Sequence, residues 1–557
     1  MKHTIVILII AITIFSANAQ KSIPQQASID SIFSSWNSPD SPGGSVGIIK
    51  EGKLVFAKGY GSANLDYNIP NESQTVFRIG STSKQFTAAC IILLSQQGKL
   101  SLEDKLIKFF PDFPAYANDI TIRHLLNHTS GIRDYLILAR LSGLGSEDYY
   151  TDQIVEKWLT NQKELNFSPG DEYLYSNSGF WLLGQIVENA SGVTMAEYAE
   201  ENIFIPLEMN DTHFHNNHKQ IVKNRASGYR PNRQGGYAIS MTTLDMIGDG
   251  GIFTTVEDLA KWDASFYTSK ILNKNFWKKM TQVGTLNNGE ELTYASGLGV
   301  TTYKGLKITQ HGGSMVGYRS EMIRFHEAQF SVIILANRAD ANPTRMAYKI
   351  ADLFLKNEYK KEKSMESINS DSEEVSLKPI SFTKEKLQGF EGEYWSSRNK
   401  ISRKLEVIND TLNYVRGNGR ATQMFPISND KFQMIGPKVP IVLEVNSTVN
   451  PKEFTMKLPN EPLSTFVAYT PLTSYSASDL DTYSGDYYCA ELDVVYTLKT
   501  EEDGIMLYIN GNSVGSVEQV MKDLLSRNSR MTFEFNENRD MFRLSMLRVK
   551  NLKFVKR

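Results

Sequence analysis

Between Lys356 and Lys378 the chain becomes charged and serine-rich, with Tyr359 its only aromatic residue, and the apolar patterning follows different periods on the two sides. Such a stretch cannot bury enough surface to pack, so it reads as a linker that divides the molecule into separately folded parts. The division is required in any case, since 557 residues with 41% hydrophobic content exceed what one ordinary core accommodates. Ahead of the linker, Gly44 to Gly61 reads as two strands joined at Glu51-Gly52, helical patterns dominate from Lys84 to about Gly192, and strands return near Gly297 to Val300 and at Phe330 to Ala336. That order predicts one sheet built from both ends of the domain with helices inserted between them. Beyond the linker, short alternating strands rich in Tyr, Phe and Val are broken by Asn, Asp and Gly, which predicts an all-β region. Leu387-Gln388-Gly389-Phe390-Glu391-Gly392-Glu393-Tyr394-Trp395 is echoed 93 residues later by Leu480-Asp481-Thr482-Tyr483-Ser484-Gly485-Asp486-Tyr487-Tyr488. Either each copy closes its own small barrel or the two halves close one larger barrel. The expected parts are residues 20–355, a linker over 356–378, and β-modules over 379–472 and 473–557.

Met1-Lys2-His3, an apolar run of about 12 residues from Thr4 to Phe15, and Ser16-Ala17-Asn18-Ala19 form the three parts of a secretory signal, with cleavage expected after Ala19. The run is too short to span a bilayer, which takes roughly 20 residues, and no later segment is long enough. The mature chain is therefore expected to be exported without a transmembrane segment, to the periplasm or the extracellular space. Only Cys90 and Cys489 are present, and Cys90 falls within an apolar helix, so a disulfide framework is not expected. No cysteine follows the signal, which argues against a lipid anchor. Lys+Arg 60 against Asp+Glu 62 leaves a net charge of -2, which points away from nucleic acid and toward a small-molecule or peptide substrate.

The chemistry is concentrated in three places. Val76 to Gly80 runs into Ser81-Thr82-Ser83-Lys84, and Gln85 to Leu94 reads as a buried helix behind it. Ser81 is thus expected at a helix N-terminus, where unpaired N–H groups favour negative charge developing on an attacked carbonyl. Lys84 lies one turn on and can take the serine proton only if burial lowers its pKa from roughly 10.4. Tyr175-Ser176-Asn177 follows the turn Ser168-Pro169-Gly170-Asp171 and reads as a loop tip able to reach a cleft. There a phenol beside Ser81 and Lys84 that is partly phenolate can take the serine proton, while the Asn177 amide orients a substrate. His311-Gly312-Gly313 follows the strand-like Leu306 to Gln310, and its glycines let a substrate backbone lie along the strand edge.

Together these pieces resemble the serine β-lactamase and penicillin-binding-protein superfamily, nearest to its class C and peptidase S12 branch. Ile122 to Gly131 and Gly250 to Ala260 carry further matches typical of that branch. The resemblance covers roughly residues 25 to 355. It implies an α/β (α+β) β-lactamase/transpeptidase-like domain, an antiparallel sheet with helices on both sides, followed here by the all-β barrel region. It also implies Ser81 as the acylated nucleophile, Lys84 and Tyr175 sharing acid/base work, and Asn177 on the substrate amide. Backbone N–H groups of Ser81 and Ser314 would form the oxyanion hole. Which of Lys84 and Tyr175 acts first stays open. The departure is His311-Gly312-Gly313 where β-lactamases usually carry Lys-Thr-Gly, because a largely neutral imidazole replaces a permanent cation. His-x-Gly resembles the D-aminopeptidases, D-Ala-D-Ala peptidases and esterases of the branch. The C-terminal repeats resemble the lipocalin-type modules of the D-aminopeptidases. No cofactor or metal is implied.

Other motifs read more simply. Gly43-Gly44-Ser45-Val46-Gly47 matches a nucleophile-elbow pattern, but a strand follows instead of the helix that pattern needs, so Ser45 reads as structural. His124 and His128 have the spacing of a helical zinc pair without its glutamate, and read as packing and capping residues. His213, His215 and His218 read as loop histidines, and Phe390, Tyr394, Tyr483 and Tyr487 as barrel core. The expected function is an exported serine hydrolase acting through an acyl-enzyme on Ser81, on D-amino-acid-containing peptides or amides, with Ser81, Lys84, Tyr175 and His311 as its catalytic residues. An esterase or β-lactamase in the same fold, and a penicillin-binding sensor or scaffold that acylates without turnover, are the competing readings.

Overall fold

The computed structural model describes residues 23–145, 147–268, 272–360, 380–417, 419–436, 441–458, 460–472, 477–502 and 504–557. The expected leader and residues 361–378 of the expected linker lie outside them.

The first domain is organised on a six-stranded antiparallel sheet. Its strands are β1 (Gly44–Lys50), β2 (Lys53–Tyr60), β3 (Gly299–Tyr303), β4 (Leu306–Met315), β5 (Tyr318–Phe325) and β6 (Phe330–Ala336), arranged β3-β4-β5-β6-β1-β2. Both ends of the domain therefore meet at its centre, where Gly44 pairs with Ala336 and Lys50 with Phe330. The apolar run of β6 is explained by burial on both faces. Phe330, Val332, Ile334 and Ala336 pack into one core with the helix Pro343–Phe354, while Ile333 and Leu335 pack into the other with the inserted helices. Two of those inserted helices matter for the site: α1 (Lys84–Gln96), buried from Lys84 to Leu94, and α2 (Asn177–Ser191).

The C-terminal region closes into two separate eight-stranded barrels, not one. The first, β7 to β14, runs from Gly392–Ser396 to Ser464–Tyr469, and the second, β15 to β22, from Gly485–Cys489 through β21 (Met541–Met546) to β22 (Val549–Lys556). The repeat extends beyond its motif, since each barrel is preceded by a short helix, Lys384–Gln388 or Ala477–Asp481, again 93 residues apart. Tyr394 and Tyr487 are buried at equivalent positions, and each hydroxyl donates to the carbonyl four residues back, of Phe390 and Tyr483 respectively. The first barrel keeps a core of its own, whereas the core of the second is continuous with that of the first domain.

Candidate active site

Gly80 adopts φ +50, and a Cβ there would lie 2.8 Å from the Ser314 nitrogen. A Cβ on Gly313 would fall 1.8 Å from the Ile79 carbonyl oxygen. The two glycines therefore let the end of β4 lie directly on the chain entering Ser81, which sits in a 3-10 turn, Gly80–Ser83, immediately before α1. Thr82 fastens this contact, bonding the His311 carbonyl at 3.0 Å and the Ser320 hydroxyl at 2.8 Å. The backbones of Ser81 and Ser314 thus share one wall of a cleft of about 710 Å³, which Tyr175, Asn177, His311, Gly312 and Gly313 also line.

Lys84 has no solvent exposure. Its Nζ lies 3.3 Å from Ser81 Oγ, 2.9 Å from Asn177 Oδ1 and 2.5 Å from the Asp249 carbonyl. Burial lowers its pKa to about 8, against the opposing pull of Asp249 and Asp134. With the amine neutral, two N–H bonds serve the two carbonyl oxygens and the lone pair is left for the serine hydroxyl.

Tyr175 is held by aromatic packing, with the rings of His128 at 4.1 Å and Tyr294 at 6.4 Å, and Lys84 Nζ lies 5.0 Å from its centroid. Burial pushes its phenol well above the ordinary value of 10, although Ser81 pulls the other way. The expected partial phenolate is therefore disfavoured, and Tyr175 is a neutral hydroxyl. Asn177 lines the cleft as expected of a substrate-orienting residue, and it is also tied to two charged neighbours. Its Oδ1 accepts from Lys84 while its backbone N–H and Nδ2 both donate to Asp134 Oδ2, at 2.8 and 2.9 Å, so the amide spans lysine and aspartate. His311 is similarly engaged. Nδ1 faces the Gly312 carbonyl at 2.7 Å, which can only accept, so Nδ1 carries the proton and Nε2 accepts from the Tyr294 hydroxyl at 2.9 Å. Burial brings this imidazole down to about 4, and it is neutral.

The cleft is cationic. Arg78, Arg319 and Arg548 line it, and neither Arg78 nor Arg319 forms an ion pair among the described residues. Both carboxylates in its lining are engaged: Asp249 accepts from the Tyr135 hydroxyl at 3.0 Å, and Asp340 binds Arg338 at 2.8 Å. Asp134, Asp249, Tyr294 and Arg548 were not singled out from the sequence. Asp134 stands three residues after the Ile122 to Gly131 segment and was within reach of motif reading; Arg548, 414 positions from its partner Asp134, carried no local signal.

The remaining motifs lie elsewhere. Ser45 is in β1 and donates to the Glu72 carbonyl. His124 completes a capping box with Thr121, and His128 accepts from the Ser176 N–H at 3.1 Å while packing on Tyr175. His218 pairs with Asp245, and His213 faces His215. Among the described residues no cluster of three or more His, Cys, Asp or Glu could hold a metal ion, and no helix is long and apolar enough to cross a membrane.

A family model described as Beta-lactamase matches residues 30–354. Penicillin-binding protein 4* of Bacillus subtilis (strain 168) is 30% identical over 313 residues, covering 53% of this chain and 68% of that protein. A D-aminopeptidase of Gluconobacter oxydans (strain 621H) is 26% identical over 313 residues, covering 56% of this chain and only 58% of its own length. Among solved structures, the octameric penicillin-binding protein homologue from Pyrococcus abyssi superposes with a TM-score of 0.54 at 25% identity, over 79% of this chain and 98% of the other.

Proposed function

The chain belongs to the beta-lactamase family, whose model spans 30–354, and from that premise we propose an exported serine hydrolase that cleaves D-amino-acid-containing peptides or amides through an acyl-enzyme on Ser81. The observation that carries this reading is a fully buried lysine amine, with a pKa of about 8, 3.3 Å from a serine hydroxyl in the cleft wall. Ser81 Oγ attacks the substrate carbonyl as its proton passes to Lys84 Nζ. The oxyanion is held by the Ser81 and Ser314 backbone N–H groups, for which the glycine contacts prepare the wall. As the C–N bond breaks, the neutral Tyr175 hydroxyl gives its proton to the leaving amine and regains one from the Lys84 ammonium. Water then hydrolyses the acyl ester by the same route in reverse. Asn177 positions Lys84, and His311, Gly312 and Gly313 form the strand edge along which the substrate lies.

Substrate class follows from charge. The D-aminopeptidase relative supports a D-configured residue, and the Arg78 and Arg319 guanidinium groups in the cleft lining, which form no ion pair among the described residues, favour a substrate carboxylate. A D-Ala-D-Ala peptidase type of activity fits these groups better than strict aminopeptidase action. Export rests on residues 1–19 alone. The test is the initial rate on an N-acetylated peptide ending in D-alanyl-D-alanine and on D-alanine anilide, with Ser81→Ala as blank and mass spectrometry for the acyl adduct. Sustained turnover of the blocked peptide, absent in Ser81→Ala, is expected. A single stoichiometric burst would mark an acylation sensor instead, and a preference for the anilide with its free amine would reverse the assignment of the arginines.

A further inference from the structure

The second barrel reaches into the cleft. The turn between β21 and β22 carries Arg548, whose guanidinium donates to buried Asp134 twice, Nε to Oδ2 at 3.0 Å and Nη2 to Oδ1 at 3.2 Å. We infer that Arg548 is a positioning residue for the proposed base: it neutralises Asp134, and Asp134 in turn holds the Asn177 amide that aims Lys84 at Ser81. The inference rests on the acyl-enzyme reading above and adds to it a component from another domain.

Each link is a polar contact, and Asp134, Asn177 and Lys84 are all buried, while Arg548 and Ser81 at the two ends keep some exposure. Asp134 has none, and besides Arg548 it accepts from the Asn177 backbone N–H, from Asn177 Nδ2 and, as the cap of the helix Tyr135–Leu141, from the Ile137 N–H at 3.2 Å. A carboxylate taken wholly out of water needs a compensating cation, and Arg548 is the one that reaches it. Its position is fixed from both sides of the interface. The Arg548 carbonyl accepts from Asn166 Nδ2 at 3.0 Å, Asn166 Oδ1 accepts from the Lys550 N–H at 2.8 Å, and next to Asp134 the buried Arg133 pairs with Glu491 of the same barrel at 2.5 Å. The guanidinium also lies 5.6 Å from the Tyr175 ring centroid.

The charges facing Lys84 are Asp249 and Asp134, which favour its ammonium, and Arg548, which opposes it; Tyr175, His128 and His311 are neutral neighbours. Removing Arg548 leaves Asp134 uncompensated and pulls the lysine toward its charged, non-nucleophilic form. A residue that merely fastens the barrel would change the amount of active protein and leave the ionisation where it was.

The experiment is the pH dependence of kcat/KM for the full chain as wild type, Arg548→Met, Arg548→Lys and Arg543→Met, each checked by thermal unfolding. Arg543 pairs with Glu164 across the same interface at 2.8 Å and touches none of the linked groups, so it reports docking alone. Arg548→Met is expected to move the acid limb upward by about one pH unit, costing about tenfold at pH 7 and recovering by pH 10. Arg548→Lys should stay near wild type, and Arg543→Met should keep the wild-type limb. An unmoved limb with a uniform loss at every pH, or an equal shift in Arg543→Met, overturns the inference. Should Arg548→Met not fold, Asp134→Asn is the second probe: the limb should move down, and a limb that stays or rises overturns it. Failure of the underlying reading looks different, because Ser81→Ala would then retain turnover or wild type would show no ionisation near pH 8.

Discussion

In the proposed mechanism Lys84 and Tyr175 divide the proton work because burial acts on them in opposite directions, lowering the amine to about 8 and raising the phenol. The rate should therefore climb with pH through about 8, since the base is the deprotonated amine, and Lys84→Met should remove that limb and reduce kcat by about 10³-fold. Tyr175→Phe tests the other half. It should cost an amide substrate on the order of 10²-fold and an activated ester much less, because a good leaving group needs no proton; comparing kcat for the two substrates is the measurement. That Ser81, Lys84 and Tyr175 meet at one cleft was legible because a turn, a helix start and a loop tip are local signals. That the phenol is protonated and Asn177 lies between lysine and aspartate was not legible, because burial and partner geometry arise only when distant segments meet.

At the scale of the element, the close approach of β4 to the Ser81 turn depends on Gly313. Gly313→Ala would place a methyl 1.8 Å from the Ile79 carbonyl and 2.4 Å from Ser320 Oγ, so the strand must move away from the nucleophile. The expected result is a folded protein with kcat/KM reduced by about 10²-fold or more, visible as lost activity with an unchanged far-ultraviolet circular dichroism spectrum. The glycine pair was readable from sequence as room for a substrate; its second use, contact with Ile79, needed the fold. In the barrels, the echoed Leu387 and Leu480 segments marked both copies, and their tyrosines proved to be core residues that also anchor the preceding turn. Tyr394→Phe and Tyr487→Phe should each cost about 1 kcal/mol in denaturant unfolding, the value of one intramolecular hydrogen bond.

Across the whole molecule, sequence order and mechanical coupling disagree. The first barrel follows the first domain in the chain yet keeps its own core, while the more distant second barrel shares one. The patterning that revealed two modules could not show this, since the contact between Arg133 and Glu491 spans 358 positions. Calorimetry should resolve the first barrel as a separate transition, and Arg133→Met should lower the other one, by about 3 kcal/mol, because it strands a buried carboxylate. Acid should weaken the fold as well. Burial holds His215, His311 and His326 near 4, so the unfolded chain binds their protons first and stability falls as pH drops from 6.5 toward 4. The melting temperature should decline over that window, and less steeply in His326→Asn.

The bond from Arg548 to Asp134 also imposes an order of events on biosynthesis. Asp134 leaves the ribosome more than four hundred residues before its counter-ion does, so for most of that interval the nascent chain carries the serine, the lysine and the tyrosine with their supporting carboxylate unpaired. On the positioning role inferred for Arg548, competence to hydrolyse waits until the second barrel has been made, and a chain released before it would display every motif of the site without its completed electrostatics.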